Sequence, residues 1–223
     1  MPAVASCCVC FRLGVLTLFL SHHRKSFLSL VGFMLQKSSS LILPEMPERA
    51  AAINRLHAEV FGPGRFARTA FRVRESADAD PRFCFIVMAQ GRLVGSVRLT
   101  PVAIGGHAPG SFGRAFMLGP LCVAQELQGK GHGKALVRHA LEAVQREDNL
   151  PVLLVGDPPY YRLLGFEPAP RGILLPGPVD YSRLLIAWPE AAGAGAVDRS
   201  LYRGALRGLA PLTIPHSGES TKE

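Results

Sequence analysis

The chain has 223 residues, 48% of them apolar and 19% charged, enough to close one sizeable core and too apolar for a largely disordered protein. Its formal net charge of +8 is scattered rather than striped: residues 1–45 carry four basic groups and one acidic, residues 46–190 seventeen and thirteen, and residues 191–223 four and three. With no run of five Lys or Arg and no aromatic ladder set between basic residues, a nucleic-acid partner is not expected.

Residues 1–43 read differently from the rest. Two apolar stretches, 11–20 (broken by Arg12) and 27–35, flank a polar cluster at 21–25, and each falls short of the roughly 18–20 residues that span a bilayer. No stable membrane span is expected, and residues 1–6 lack the basic start of a secretory signal. Three readings stay open: a membrane-surface or targeting appendage, a pair of extra core elements, or upstream sequence translated from a start chosen too early. The last is favoured, because Met34 and Met46 can each initiate the protein; the segment is then a poorly ordered extension. Cys7, Cys8 and Cys10 are too crowded for a zinc knuckle and have no partner Cys-x-x-Cys or His pair, so free thiols in a reducing cytoplasm are the simpler account. No metal site is expected.

The main domain is expected over residues 44–189. Apolar Ala51, Ile53, Leu56 and Val60 give residues 47–60 a helical period; Gly62-Pro63-Gly64 ends that helix, and residues 65–74 suggest a second. A turn at 78–81 precedes strand-like residues 83–89, the hairpin turn Gln90-Gly91, a strand over 93–104 and a loop over 105–110. Residues 115–123 form the next strand. Residues 132–146 form an amphipathic helix with Leu136, Val137, Ala140, Leu141 and Val144 on one face. Residues 152–155, a short helix over 160–164, and strands around 173–175 and 184–188 complete an α+β fold, a sheet layered by helices. Residues 190–223, rich in Ala, Gly and polar side chains, are expected to be a partly ordered tail.

Between the strand at 115–123 and the helix at 132–146 lies a glycine-dense turn. Gly129, Gly131 and Gly133 let the backbone approach a ligand closely, and the first turn of the helix offers unpaired N–H groups at its positive end, so the turn is a site for phosphate or diphosphate. It does not fit the dinucleotide template Gly-x-Gly-x-x-Gly, because counting from Gly129 the third glycine is replaced by Lys134. It does not fit a Walker loop either, which needs glycine at Gln128 and Ser or Thr at Ala135. What remains is Gln128-x-x-Gly131-x-Gly133 after an apolar strand and before a helix. In this the chain resembles the GCN5-related N-acetyltransferase (GNAT) superfamily. A second match follows about thirty residues on, where Val152 to Val155 lead into Gly156-Asp157-Pro158-Pro159-Tyr160-Tyr161, with Tyr161 four residues before Gly165-Phe166. The Gly-Asp-Pro-x-Tyr-Tyr form is similar to a bacterial subgroup of predicted N-acetyltransferases.

The resemblance implies a mixed, mostly antiparallel central sheet flanked by helices in three layers, with a splayed strand pair forming the cleft for acyl-CoA. It implies acetyl-CoA as cosubstrate, held by the backbone of Leu121, Cys122 and Val123 and by the turn residues Gln128, Gly129, Lys130, Gly131, His132, Gly133 and Lys134. Direct attack by a primary amine on the thioester, with Tyr161 as general acid and Tyr160 as the alternative hydroxyl, needs no acyl-enzyme. Cys122 and Cys84, in apolar strands, are read as small buried side chains rather than nucleophiles. No base is assigned: residues 115–123 carry no carboxylate, and Glu126, Glu59, Glu75 and His107 are read as ordinary exposed residues. The expected acceptor is an amine-bearing small molecule or protein, relatives often pair as homodimers, and the expected location is the cytoplasm. The rival reading is a non-catalytic acyl-CoA-binding regulatory module.

Overall fold

The computed structural model describes residues 40–106, 108, 110–177, 179–189 and 197–211. The expectations for residues 1–39, His107 and residues 212–223 therefore lie outside the described residues.

Strand β1 (Ser40–Pro44) is followed by helix α1 (Ala50–Phe61), which ends at Gly62, and by helix α2 (Thr69–Arg74). The second helix is shorter than its sequence period suggests, because Arg68 is extended and separates it from a 3-10 turn at Pro63–Ala67. The hairpin β2 (Phe85–Ala89) and β3 (Arg92–Gly105) comes next, then β4 (Phe112–Val123) and helix α3 (His132–Glu147). Strand β5 (Val152–Val155), helix α4 (Pro158–Arg162), β6 (Glu167–Pro168), β7 (Ile173–Leu174), β8 (Leu184–Ala187) and β9 (Gly204–Gly208) follow among the described residues.

The strands form one sheet with the path β1-β2-β3-β4-β5-β8-β6, antiparallel along it except where β4 meets β5; the β7–β9 pair off this path is also parallel. Long β3 pairs with β2 over its first half and with β9 at Val102 to Ile104, and β9 in turn pairs with β7. Alternation along the strands sends Phe116, Leu118, Val152 and Leu154 to one face, where they meet Leu136, Val137, Ala140 and Val144 of α3. Their neighbours Ala115, Met117 and Leu153 face the other way, onto Val73, Ile173, Ile186, Tyr202 and Leu206. Both faces of the sheet are therefore covered, and the three layers follow.

Two segments extend the sheet past the span 44–189. Ser40 to Pro44 pair with Ala89 to Phe85, and β9 inserts a strand from the segment expected to be a tail. A low-complexity composition hid this second strand, but Tyr202 and Leu206 are buried in the core and the Tyr202 hydroxyl donates to the Arg114 carbonyl at 2.7 Å.

Beside β1, the Arg98 guanidinium, 7% exposed, is paired with Glu45, its Nε lying 2.7 Å from Oε2. Glu45→Ala leaves that cation buried without its carboxylate and is expected to lower the unfolding free energy by about 3–5 kcal/mol. The double variant Glu45→Leu with Arg98→Met should lose less, and urea unfolding of both proteins is the check.

Candidate active site

The site begins where β4 and β5 separate. They are paired only at Phe116↔Val152 and Met117↔Leu153. Beyond that point β5 stays with β8 through Val155↔Leu184, while β4 stays with β3 through Gly95↔Val123. An extra residue in β4 between Leu118 and Leu121, set against Leu99 and Val97 of β3, bends the strand where the opening begins.

The Ala124 N–H donates to the Val94 carbonyl at 2.7 Å. By antiparallel alternation the backbone groups of Cys122 then face β3, and those of Leu121 and Val123 face the opening. The Val123 carbonyl accepts a bond from Gln128 Nε2 at 3.2 Å, so Gln128 ties the turn to the end of the strand. The N–H of Val123 and both backbone groups of Leu121 remain on the open edge.

After Gln128 the chain turns through Gly129 and Gly131, whose φ values of 77° and 89° lie in the left-handed region open to glycine. Gly131 is the N-cap of α3, and no side chain caps the helix. Ala135 donates to the Gly131 carbonyl at 3.0 Å, which leaves the N–H groups of His132, Gly133 and Lys134 as the unpaired first turn of a 16-residue helix. Those donors and the helix dipole favour an anion.

A cleft of 580 Å³ runs along this edge, lined by Leu121, Cys122, Val123, Gln128, Gly129, Gly131, His132, Gly133, Lys134, Tyr160 and Tyr161. Of the residues expected around the turn, Lys130 is exposed and outside the lining. Val60, Phe61 and Leu127 line the cleft as well, without having been singled out. Val60 belongs to the apolar face of α1, and that face reaches the cleft.

Two glycines seat the two tyrosines. The Tyr160 hydroxyl lies over Gly133 so closely that a Cβ there would be 2.8 Å from it, and Lys134 Nζ stands 5.6 Å from the centre of the Tyr160 ring. The Tyr161 ring lies against Gly156, where a Cβ would clash with it, and is edge-on to Tyr160 and Phe166 at 4.9 and 5.6 Å. Burial, chiefly, pushes the Tyr161 phenol up to about 12, with Tyr160 adding to the rise and Arg183 opposing it. Tyr160 is also raised, again by burial, against Arg138.

Tyr161 stands at a junction. A second cavity of 640 Å³ shares Phe61, Leu121 and Tyr161 with the first and continues past Gly119, Pro120 and Gly156 to Arg68, Asp157, Asp180 and Arg183. Of the carboxylates weighed from sequence, Glu126 is exposed near Arg92, Glu59 is exposed, and Glu75 lines a separate cavity with His57, Arg65 and Arg74. None of the three lines either cavity at the junction. Asp157, quoted in the sequence motif but given no role there, does.

Cys122 is 3% exposed and its Sγ lies 3.4 Å from Ser96 Oγ, which shares a 2.8 Å hydrogen bond with Nε2 of buried His57. Burial raises the Cys122 thiol, while burial, with Arg98, Arg74 and Arg65 nearby, lowers His57 to about 3. A protonated thiol beside a neutral imidazole that does not reach it is no activated nucleophile. Cys84 is likewise buried, its thiol pushed up to about 12. Among the described residues no group of three or more His, Cys, Asp or Glu is placed to hold a metal, and no helix is long and apolar enough to cross a membrane.

The family of acetyltransferase (GNAT) domains matches residues 46–169. YjhQ, an uncharacterized N-acetyltransferase of Escherichia coli (strain K12), is 27% identical over 132 residues, which are 58% of this chain and 72% of that protein. The structure of the GNAT family N-acetyltransferase YhbS from Escherichia coli, in complex with CoA, matches with a TM-score of 0.58 at 23% identity, covering 77% of this chain and 91% of that one. A GNAT family acetyltransferase from Brucella melitensis, in complex with acetyl-CoA, matches with a TM-score of 0.50 at 23% identity over 72% of this chain and 94% of that one. The architecture is that of these proteins.

The burial of Cys122 is open to a direct check. At neutral pH, iodoacetamide is expected to leave Cys84 and Cys122 unmodified in the native protein and to label both in concentrated guanidinium chloride, read by peptide mass spectrometry. Prompt native labelling of Cys122 would place its thiol in the cleft.

Proposed function

The chain belongs to the GNAT acetyltransferase family, and from that premise we propose that it transfers the acetyl group of acetyl-CoA to a primary amine by direct attack within a ternary complex. The observation that carries this reading is the uncapped first turn of α3 beside the open edge of β4, with Tyr161 where the two cavities meet. In support, the E. coli and Brucella melitensis proteins of this architecture were solved with CoA and acetyl-CoA.

On this reading the N–H groups of His132, Gly133 and Lys134 receive the diphosphate, and the Lys134 side chain adds charge beside it. The open backbone groups of Leu121 and Val123 receive the pantetheine arm as an added strand does. An N–H on the same edge stabilises the oxyanion formed when the amine attacks the acetyl carbonyl. Tyr161 protonates the departing thiolate, and the proton that the attacking nitrogen loses restores the phenol, which carries its proton throughout the physiological range. Tyr160, whose hydroxyl lies over Gly133, packs against the phosphate turn. The acceptor is a small molecule or a protein amine, and a homodimer is part of the proposal. A non-catalytic acyl-CoA-binding module is the second reading, favoured by the lack of a carboxylate on residues 115–123 of β4.

Isothermal titration with acetyl-CoA tests the ligand for both readings, and release of free thiol across a panel of primary amines separates them. Gly133→Ala is expected to weaken acetyl-CoA binding by displacing Tyr160. Tyr161→Phe is expected to lower kcat by about a hundredfold or more, with the Kd for acetyl-CoA little changed. Because the Tyr161 phenol is raised, the wild-type kcat should show no alkaline fall from this group up to about pH 10. Unchanged turnover in Tyr161→Phe removes this residue from the mechanism.

A further inference from the structure

Among the described residues, four short helical turns open on an aspartate. In three of them the carboxylate folds back onto the amide two residues ahead: Asp80 accepts from the Arg82 N–H at 3.1 Å, Asp180 from Ser182 at 3.0 Å and Asp198 from Ser200 at 2.9 Å. Side chains add to each, the Arg82 guanidinium at 2.7 Å and the two serine hydroxyls at 2.6 Å. Asp157, ahead of α4, is the fourth and behaves differently.

The sequence supplies the reason. Two residues past Asp157 stands Pro159, itself preceded by Pro158, so the first two helical positions have no N–H to offer. The N–H groups of Tyr160 and Tyr161 both go to the Asp157 carbonyl at 3.1 Å. The carboxylate makes no cap bond, and the residue is exposed where it lines the 640 Å³ cavity that Tyr161 borders.

The charged residues of that cavity sort themselves. Asp180 is held by Ser182, Arg183 Nε reaches toward the Gly156 carbonyl at 3.4 Å, and the Arg68 guanidinium lies 4.8 Å from the centre of the Phe61 ring. Both Ser182 bonds fall on one oxygen of Asp180, whereas Asp157 is the carboxylate of this cavity with neither oxygen engaged by a described residue. A primary amine is an ammonium ion at neutral pH, and its strongest complement is such a carboxylate.

We propose that Asp157 is the acceptor-binding residue: its carboxylate receives the ammonium group of a cationic primary amine at the rim of the second cavity, next to Tyr161. The inference rests on the acetyltransferase reading and names the part of the site that selects the acceptor; the bound ammonium releases one proton to solvent before its nitrogen attacks. Proline at 158 and 159 keeps the carboxylate from being consumed by its own helix, so the Asp-Pro-Pro sequence presents a charge instead of capping with it. The acceptor class that follows is aliphatic amines that are protonated in solution, in preference to neutral aromatic amines or alcohols.

The test uses the full chain and three probes, n-butylamine, cadaverine and spermidine, with n-butanol as the uncharged comparison. Amide shifts of Gly156, Tyr160 and Tyr161 are followed by NMR during titration, with and without acetyl-CoA. At least one amine is expected to give saturable shifts in the wild type, about ten- to a hundredfold weaker affinity in Asp157→Asn, and partial recovery in Asp157→Glu, while n-butanol distinguishes none of the three. For any amine that is turned over, Asp157→Asn should raise its KM by a similar factor and leave the Kd for acetyl-CoA unchanged. Absence of saturable shifts in the wild type, or equal affinity in Asp157→Asn, overturns the proposal. Failure of acetyl-CoA to bind, by contrast, strikes the proposed function and leaves the amine titration readable by itself.

Discussion

Two parallel strands that part after two paired positions leave backbone groups without partners, and those groups must find them elsewhere. In this molecule the parting is imposed from both sides, since β3 holds β4 and β8 holds β5 along their own directions. The extra residue in β4 between Leu118 and Leu121 absorbs the mismatch, and the open edge of Leu121 and Val123 is the result. The uncapped start of α3 adds three more unpaired donors at the end of the same strand. The residues that carry these groups are half-exposed, so water can satisfy their backbone groups, and a polar ligand lying along the edge would exchange with that water.

The tyrosines depend on that edge through two glycines. Any side chain at Gly133 would meet the Tyr160 hydroxyl, and any at Gly156 would meet the Tyr161 ring. Because Tyr160 and Tyr161 are adjacent on a single turn of helix, seating one fixes the other, and their rings meet edge-on at 4.9 Å. The two tyrosines, adjacent in sequence, are thereby separated in space: one hydroxyl is carried to the helix start, and the other ring to the junction of the cavities.

Much of this was legible in the chain and some was not, for physical reasons. The helix at 132–146 and the strands around it were readable because apolar period and turn chemistry agree there; the glycine turn was readable because its spacing excludes other phosphate loops. The strand at 204–208 was not, since its burial depends on Val102 to Ile104 of β3, a hundred residues away, and nothing local marks it. Arg68 ends up in the second cavity because it is extended between two short helical segments, where an unbroken helix over 65–74 had been expected. The backbone of Cys122 was expected to face the ligand along with its neighbours; strand alternation instead turns it toward β3 and leaves Leu121 and Val123 on the edge. Asp157 carried its signal in full, as a helix-opening aspartate followed by two prolines, but the signal is visible only against the three aspartates that do cap.

The two cavities differ in charge as well as position. At one end gather the positive pole of α3 and Lys134; at the other, Arg68 and Arg183 are interleaved with Asp157 and Asp180. On the proposed reading the site takes a polyanion and a cation together and cannot be uniform in sign, because a field attractive to one repels the other. Phe61, Leu121 and Tyr161 form the boundary, two apolar side chains and a phenol that stays neutral. A neutral proton donor is the group that suits that position: a lysine there would repel the incoming ammonium, and a carboxylate would repel the thiolate as it forms. Burial, which holds the Tyr161 proton, therefore also keeps the boundary free of charge.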